Sequence, residues 1–223
     1  MVPHRTTATL AHVLPYAAFM ALMQLDRVLG IAPEIGYPIR FVAVLLILAT
    51  VSRPYIDWHA AFPIRSVLVG SAVFLIWVAP DLLFHYRHSW LFNNALTGSA
   101  VSSVPDRLRG AIWFLVLRTL TSTALVPVFE ELFWRSWLMR WWIKPDFQTV
   151  ALGQYAPRAF WSVAVLFAAE HGPYWEIGLA AGVMYNWWLV RCRQLGDCIL
   201  AHAVTNGLLS IYVLSAGQWR YWL

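Results

Sequence analysis

Apolar runs separated by short polar stretches follow one another along the whole chain. The first covers residues 10–29, with Gln24, Asp26 and Arg27 near its far end. Residues 30–38 carry Gly and Pro punctuation and predict a loop. A second run covers 39–51 and stops at Ser52-Arg53-Pro54; a third covers 64–84, with Pro80 and Asp81 near its end. The weakly apolar stretch 89–109 predicts a surface loop with a short interfacial helix. A fourth run, 110–126, contains Arg118. Residues 128–142 predict a helix that places Phe133, Trp137 and Trp141 on one face, a stripe suited to packing. After a polar loop, 145–157, three more apolar helices are expected at 158–171, 174–190 and 198–216. No internal repeat and no low-complexity segment appears.

The longer runs reach the roughly 20 residues needed to span a bilayer. Composition agrees: 60% of the residues are hydrophobic and 12% charged, against about 25% charged in a soluble domain. The expected fold is all-α, a polytopic membrane bundle of seven to eight transmembrane helices around a polar cavity. Residues 1–223 form a single membrane domain. The net charge of +5 comes mostly from arginines in short loops, where it sets topology against the bilayer and does not imply nucleic acid. Their bias favours a cytoplasmic N-terminus. The basic start at His4 and Arg5 resembles a signal peptide, but the apolar run continues and predicts an uncleaved first helix. The 14 tryptophans suit interfacial belts. Cys192 and Cys198 make neither a zinc framework nor a disulfide signal. His85-Tyr86-Arg87-His88 predicts a solvated interfacial loop, not a metal site.

The polar residues inside the apolar helices are the exceptions that need a role, because ionisable groups at membrane depth are costly. Glu130 and Glu131 follow Pro127, which is expected to break or kink the backbone. Glu131 and Arg135 stand i,i+4 in the favourable order for an ion pair. Glu130, about 100° further round the helix, has no local cation. Phe167 and His171 share a helix face, as do His202 and Asn206. A carboxylate can take a proton from water, an imidazole can position that water, and imidazole and amide N–H groups can donate to an oxyanion. Together these residue types suit hydrolysis of a peptide bond. No serine or cysteine stands at a nucleophile elbow.

Glu130-Glu131-x-x-x-Arg135, Phe167-x-x-x-His171 and His202-x-x-x-Asn206 resemble, as a set and in order, the motifs of the CAAX protease and bacteriocin-processing (CPBP) family. That family includes the type II CAAX prenyl endopeptidases and the bacterial Abi proteins. The motifs fall within residues 105–216; the first 105 carry none. The resemblance implies a helical membrane fold, commonly of eight spans, and a glutamic intramembrane protease. It makes Glu130 the base, supported by Glu131, Arg135 and Phe167. His171 assists the water, and His202 with Asn206 forms the oxyanion site. A simple count of seven spans would put His171 and Glu130 at opposite faces. Convergence therefore requires tilted or broken helices, with Pro127 and Gly172-Pro173 as the expected breaks.

The expected partners are the lipid bilayer and a peptide or protein substrate, whether lipid-modified or a C-terminal or leader sorting segment. No nucleic acid is expected. The setting is a multi-pass membrane protein of a bacterial inner membrane. No cofactor is expected. The alternative is zinc on Glu130, His171 and His202, a set whose residue types permit it. Against zinc, the helix-borne pair of histidines with an intervening Glu is absent, and Arg118 and Arg135 would oppose a divalent ion. Two other functions compete: a non-catalytic immunity or scaffold protein of the same fold, and a small transporter using Glu130, Arg118 and the histidines as an ion path.

Overall fold

Prolines open several helices and left-handed residues close them. In the computed structural model, which describes residues 5–222, α1 runs Arg5–Leu29 and ends at Gly30 with φ +63°. α2 runs Pro33–Tyr55, α3 Pro63–Phe84 and α4 Ile112–Trp141. α5 runs Pro157–Ala169, α6 Trp175–Cys192 and α7 Leu195–Ala216. Proline lies in the first turn of α2, α3 and α5, where its missing N–H removes no helical bond. α6 stops at Arg193 and α7 at Gly217, both left-handed. Residues 85–111 connect α3 to α4 with only short 3₁₀ turns. No strand is present among the described residues; the nearest feature is an isolated bridge between Asn94 and Gly98.

α1 to α4 and α7 are long and apolar enough to cross a membrane. That makes five candidate spans, where the sequence pattern predicts seven to eight. The difference lies in α5, which has 13 residues, and α6, which carries Glu176, Asn186 and Arg191. α3 shows what a lipid-facing helix shows: Ile64, Leu68, Leu75, Leu83 and Phe84 are exposed. The His4 end of the basic start lies outside the described residues.

Three local expectations are corrected. The loop predicted over 30–38 is only residues 30–32, because Pro33 begins a helix rather than interrupting one. Residues 128–142 are not a separate helix but the second half of α4. Pro127 does not break α4 either. Proline offers no N–H to the carbonyl four residues back, and α4 meets this with a wider, π-helical turn over Thr121–Leu125, in which the Val126 N–H bonds to Thr121 O. A second π-helical stretch, Glu131–Leu138, follows at once, and the Met139 N–H bonds to Trp134 O. The break expected at Gly172-Pro173 is present: α5 ends at Ala169, Gly172 takes φ +52°, and a 3₁₀ turn leads into α6.

The helices meet through small residues. α3 packs along α7, and α5 along α6. At Gly70 a Cβ would stand 2.3 Å from Ala201 O, and the Thr205 hydroxyl donates to Gly70 O at 2.8 Å. Such close contact is how helices associate where lipid removes the hydrophobic incentive. Asp197, fully buried, accepts from Ala61 N, Phe62 N and Ser66 Oγ, so α7 caps the start of α3. Phe133, Trp137 and Trp141 do form a ladder, with neighbouring rings 5.2 and 5.8 Å apart.

Candidate active site

The π-helical turns of α4 place its two glutamates at different depths. Glu131 is fully buried beneath the cavity wall, and so is Arg135. Arg135 Nη1 donates to Glu131 Oε1 at 3.2 Å. The Arg135 guanidinium lies 4.4 Å from the Phe167 ring centre and 5.2 Å from that of Tyr185. Phe167 is therefore a platform for a buried cation, which explains an aromatic residue at this point of α5. Glu131 Oε1 also accepts from His202 Nδ1 at 2.9 Å. A carboxylate oxygen has no proton to give in an ion pair, so the ring carries its proton on Nδ1 and turns Nε2 outward. Nε2 lies 4.0 Å from Glu130 Oε2, beyond a direct hydrogen bond.

Glu130 faces the other way. It lines a cavity of about 90 Å³ together with Phe167, His171, His202 and Asn206. Trp77, Tyr185 and Thr205 complete much of the wall. Glu130 Oε2 is buried and has no hydrogen-bond partner among the described residues. His171 Nδ1 donates to Phe167 O at 2.7 Å, since a carbonyl can only accept, and this leaves Nε2 as the free position of the neutral ring. The Trp77 ring stands edge-on to His171 at 5.2 Å. Tyr185 stacks on His202 at 5.0 Å, and its hydroxyl donates to Thr205 Oγ1.

Asn206 is fixed by the π-helical turn. Its Nδ2 donates to Ser122 O at 2.8 Å, a carbonyl within the widened turn. The hydroxyls of Thr121 and Ser122 bond back to Leu117 O and Thr119 O, which favours an irregular helix there. One amide N–H of Asn206 is thus taken, and a second remains for the cavity.

A larger cavity, about 400 Å³, adjoins the small one. Trp77, Val126, His171, Asn206 and Leu209 line both. Its far end holds Asp26, Arg27, Arg40 and Arg118. Asp26 pairs with Arg40 at 3.0 Å, and the Tyr37 ring receives both Arg40 and Arg118. Arg118 therefore lines the polar interior instead of reaching for the membrane surface.

Glu130, His171, His202 and Asn206 thus share one cavity, with Phe167 in its wall and Glu131 and Arg135 directly behind it. Sequence reasoning assigned no role to Tyr16, Trp77, Ser122, Glu170 or Tyr185. Glu170 stands inside the Phe167–His171 motif, but its partner Tyr16 is 154 residues away, and no spacing rule joins them. Among the described residues, no three His, Cys, Asp or Glu side chains are grouped so as to hold a metal ion. Glu130, His171 and His202 line one cavity without forming such a group.

Residues 111–208 match the family model described as type II CAAX prenyl endopeptidase, Rce1-like. The match covers all three motifs and starts where the motif-free region ends. This stretch is therefore similar to a protease family, and the match together with the five candidate spans suggests a multi-pass membrane protein. Searches of curated proteins and of solved structures found no match to this chain.

Proposed function

We propose that the protein is an intramembrane endopeptidase that hydrolyses a peptide bond with a water activated by Glu130 and without a metal. The observation that carries this reading is the lining of the small cavity: one carboxylate with an unpartnered oxygen, two imidazoles with Nε2 free, and an amide. Glu130 takes a proton from water as the oxygen attacks the carbonyl carbon. His171, its Nδ1 proton committed to Phe167, accepts from the same water through Nε2 and orients it. The free amide N–H of Asn206 donates to the developing oxyanion, and His202 is the second member of that oxyanion site. Glu131 holds its ring in place through Nδ1. Each such donor contributes roughly 2.7–4 kcal/mol to the transition state.

The short α5 explains how a loop histidine reaches membrane depth. Its 13 residues span about 20 Å, whereas the hydrocarbon core is about 30 Å thick. A helix that starts at one face and stops there leaves Glu170 and His171 inside. On this reading α5 and α6 are embedded with the five long helices, seven in all, with Pro127 within α4. The larger cavity is the route by which a membrane-associated segment, lipid-modified or a sorting tail or leader, reaches Glu130. A bacterial inner membrane is the proposed setting.

The test uses the purified full chain in detergent or liposomes with a library of fluorogenic peptides. Cleavage by the wild type that is abolished in Glu130→Ala supports the reading. No cleavage of any peptide, with both proteins folded, would favour a non-catalytic scaffold.

A further inference from the structure

Glu170 is a half-buried acid for which the scheme above has no use. Tyr16 on α1 donates its hydroxyl to Glu170 Oε2 at 2.5 Å. The Tyr16 ring is held by Phe133, stacked at 4.1 Å, and by Trp134 and Phe129. A residue from the motif-free part of the chain therefore fixes one oxygen of this carboxyl group. The other oxygen, Oε1, is buried and has no hydrogen-bond partner among the described residues. Glu170 lines the larger cavity, Glu130 the smaller. His171 and Asn206 line both. A peptide bond at the junction would have Glu130 on one side and Glu170 on the other.

From this geometry we infer that Glu170 is a second catalytic residue, the general acid that protonates the departing amine, and that Tyr16 is its positioning residue. The inference rests on the hydrolase reading of the site. Two features favour a neutral acid at Glu170. It stands at the C-terminal end of α5, where exposed carbonyls oppose a negative charge. Glu130 is close enough that the two carboxyl groups are not both ionised, and with Glu130 as the base the proton rests on Glu170.

The step balances. Water loses a proton to Glu130 as the C–O bond forms. The C–N bond then breaks, and the nitrogen takes the proton from Glu170 Oε1. Transfer of the Glu130 proton to Glu170 restores both groups, so water and peptide give one acid and one amine. Amide nitrogen cannot leave without a proton; a phenolate can.

The experiment compares a peptide with a matched aryl ester on the purified full chain. Glu170→Gln is expected to lose at least ~10²-fold in kcat on the peptide, the usual contribution of a general acid, and less than about 10-fold on the ester. Glu130→Gln should lose both activities. Tyr16→Phe should lose peptide cleavage selectively and to a smaller extent, a pattern that mere destabilisation would not give; it also serves if Glu170→Gln does not fold. Equal losses on peptide and ester, or retention of peptide cleavage in Glu170→Gln and Tyr16→Phe, overturn the assignment while leaving the hydrolase reading intact. A wild type that cleaves neither substrate overturns both.

Discussion

Removing the charge of Glu131 should expose how much the site depends on a group buried behind the cavity. Glu131 and Arg135 are both fully buried, and Glu131 Oε1 accepts from Arg135 and His202 at once. Glu131→Gln leaves the Arg135 guanidinium without its counter-ion, and stranding one partner of a buried pair costs about 3–5 kcal/mol. The contacts of Arg135 with Phe167 and Tyr185 persist in the variant, and cation–π contacts of this kind contribute about 2 kcal/mol when desolvated. They place the expected loss near the lower figure, about 3 kcal/mol. Arg135→Met alone strands the carboxylate and should lose a similar amount. The double variant removes both charges and should recover part of the stability, because neither partner is left as an uncompensated buried charge. Unfolding of the four proteins in one detergent, followed by circular dichroism, measures this cycle. Turnover should stay low in the double variant, since the His202 ring loses the charged acceptor that holds it. If each single change costs less than about 1 kcal/mol, or the double is no more stable than the singles, the pair is not the buried unit described here.

Gly178 on α6 leaves no room beside His171: a Cβ there would stand 3.0 Å from the ring. Gly178→Ala should lower turnover roughly 10-fold with little change in stability, a fraction of the ~10²-fold that a displacement of about 1 Å costs; unchanged kinetics would show that His171 need not be held so closely. Asp197→Ala removes the acceptor for two backbone N–H groups and the Ser66 hydroxyl at the start of α3. It should destabilise the fold by about 3 kcal/mol, the range for hydrogen bonds to a buried charge, and a loss below about 1 kcal/mol in detergent unfolding would refute that. Purified active protein is expected to keep its activity after slow chelation. Stoichiometric zinc whose removal abolishes activity and whose return restores it would instead make His171 and His202 ligands.

Helix positions were legible in the sequence because the apolar runs are long and their ends carry Pro and Gly. The joining of 110–126 to 128–142 was not. Pro127 reads as a stop signal locally, and only the wider turn at Thr121–Leu125, held by hydroxyls bonding back to their own helix, lets the chain continue. The pairing of Glu131 with Arg135 follows from helical spacing alone. The bond from His202 to Glu131 spans 71 positions, and the one from Asn206 to Ser122 spans 84. Those depend on how α4 and α7 cross, which neither periodicity nor motif spacing encodes. The span count differs from the sequence pattern because α5 is short and α6 polar, so length and composition give five candidate spans.

The irregular turns and the polar site have a common origin. A regular helix in an apolar setting consumes its own carbonyls and offers nothing to a neighbour. The π-helical turn before Pro127 directs Ser122 O to Asn206 instead, and so fixes an amide that would otherwise rotate freely. The second irregular stretch begins at Glu131, so the two adjacent glutamates can face different surroundings: one bound to Arg135 and His202, the other open to the cavity. Irregular helical turns of this kind recur at functional sites in other proteins. Here Pro127 accounts for the first of them. An alanine at 127 would restore the missing N–H donor and allow Thr121–Leu125 to relax toward a regular helix. That change would withdraw Ser122 O from Asn206, so loss of turnover without loss of stability is the expected result of Pro127→Ala. Full activity in that variant would show that the widened turn is not what holds the amide in place.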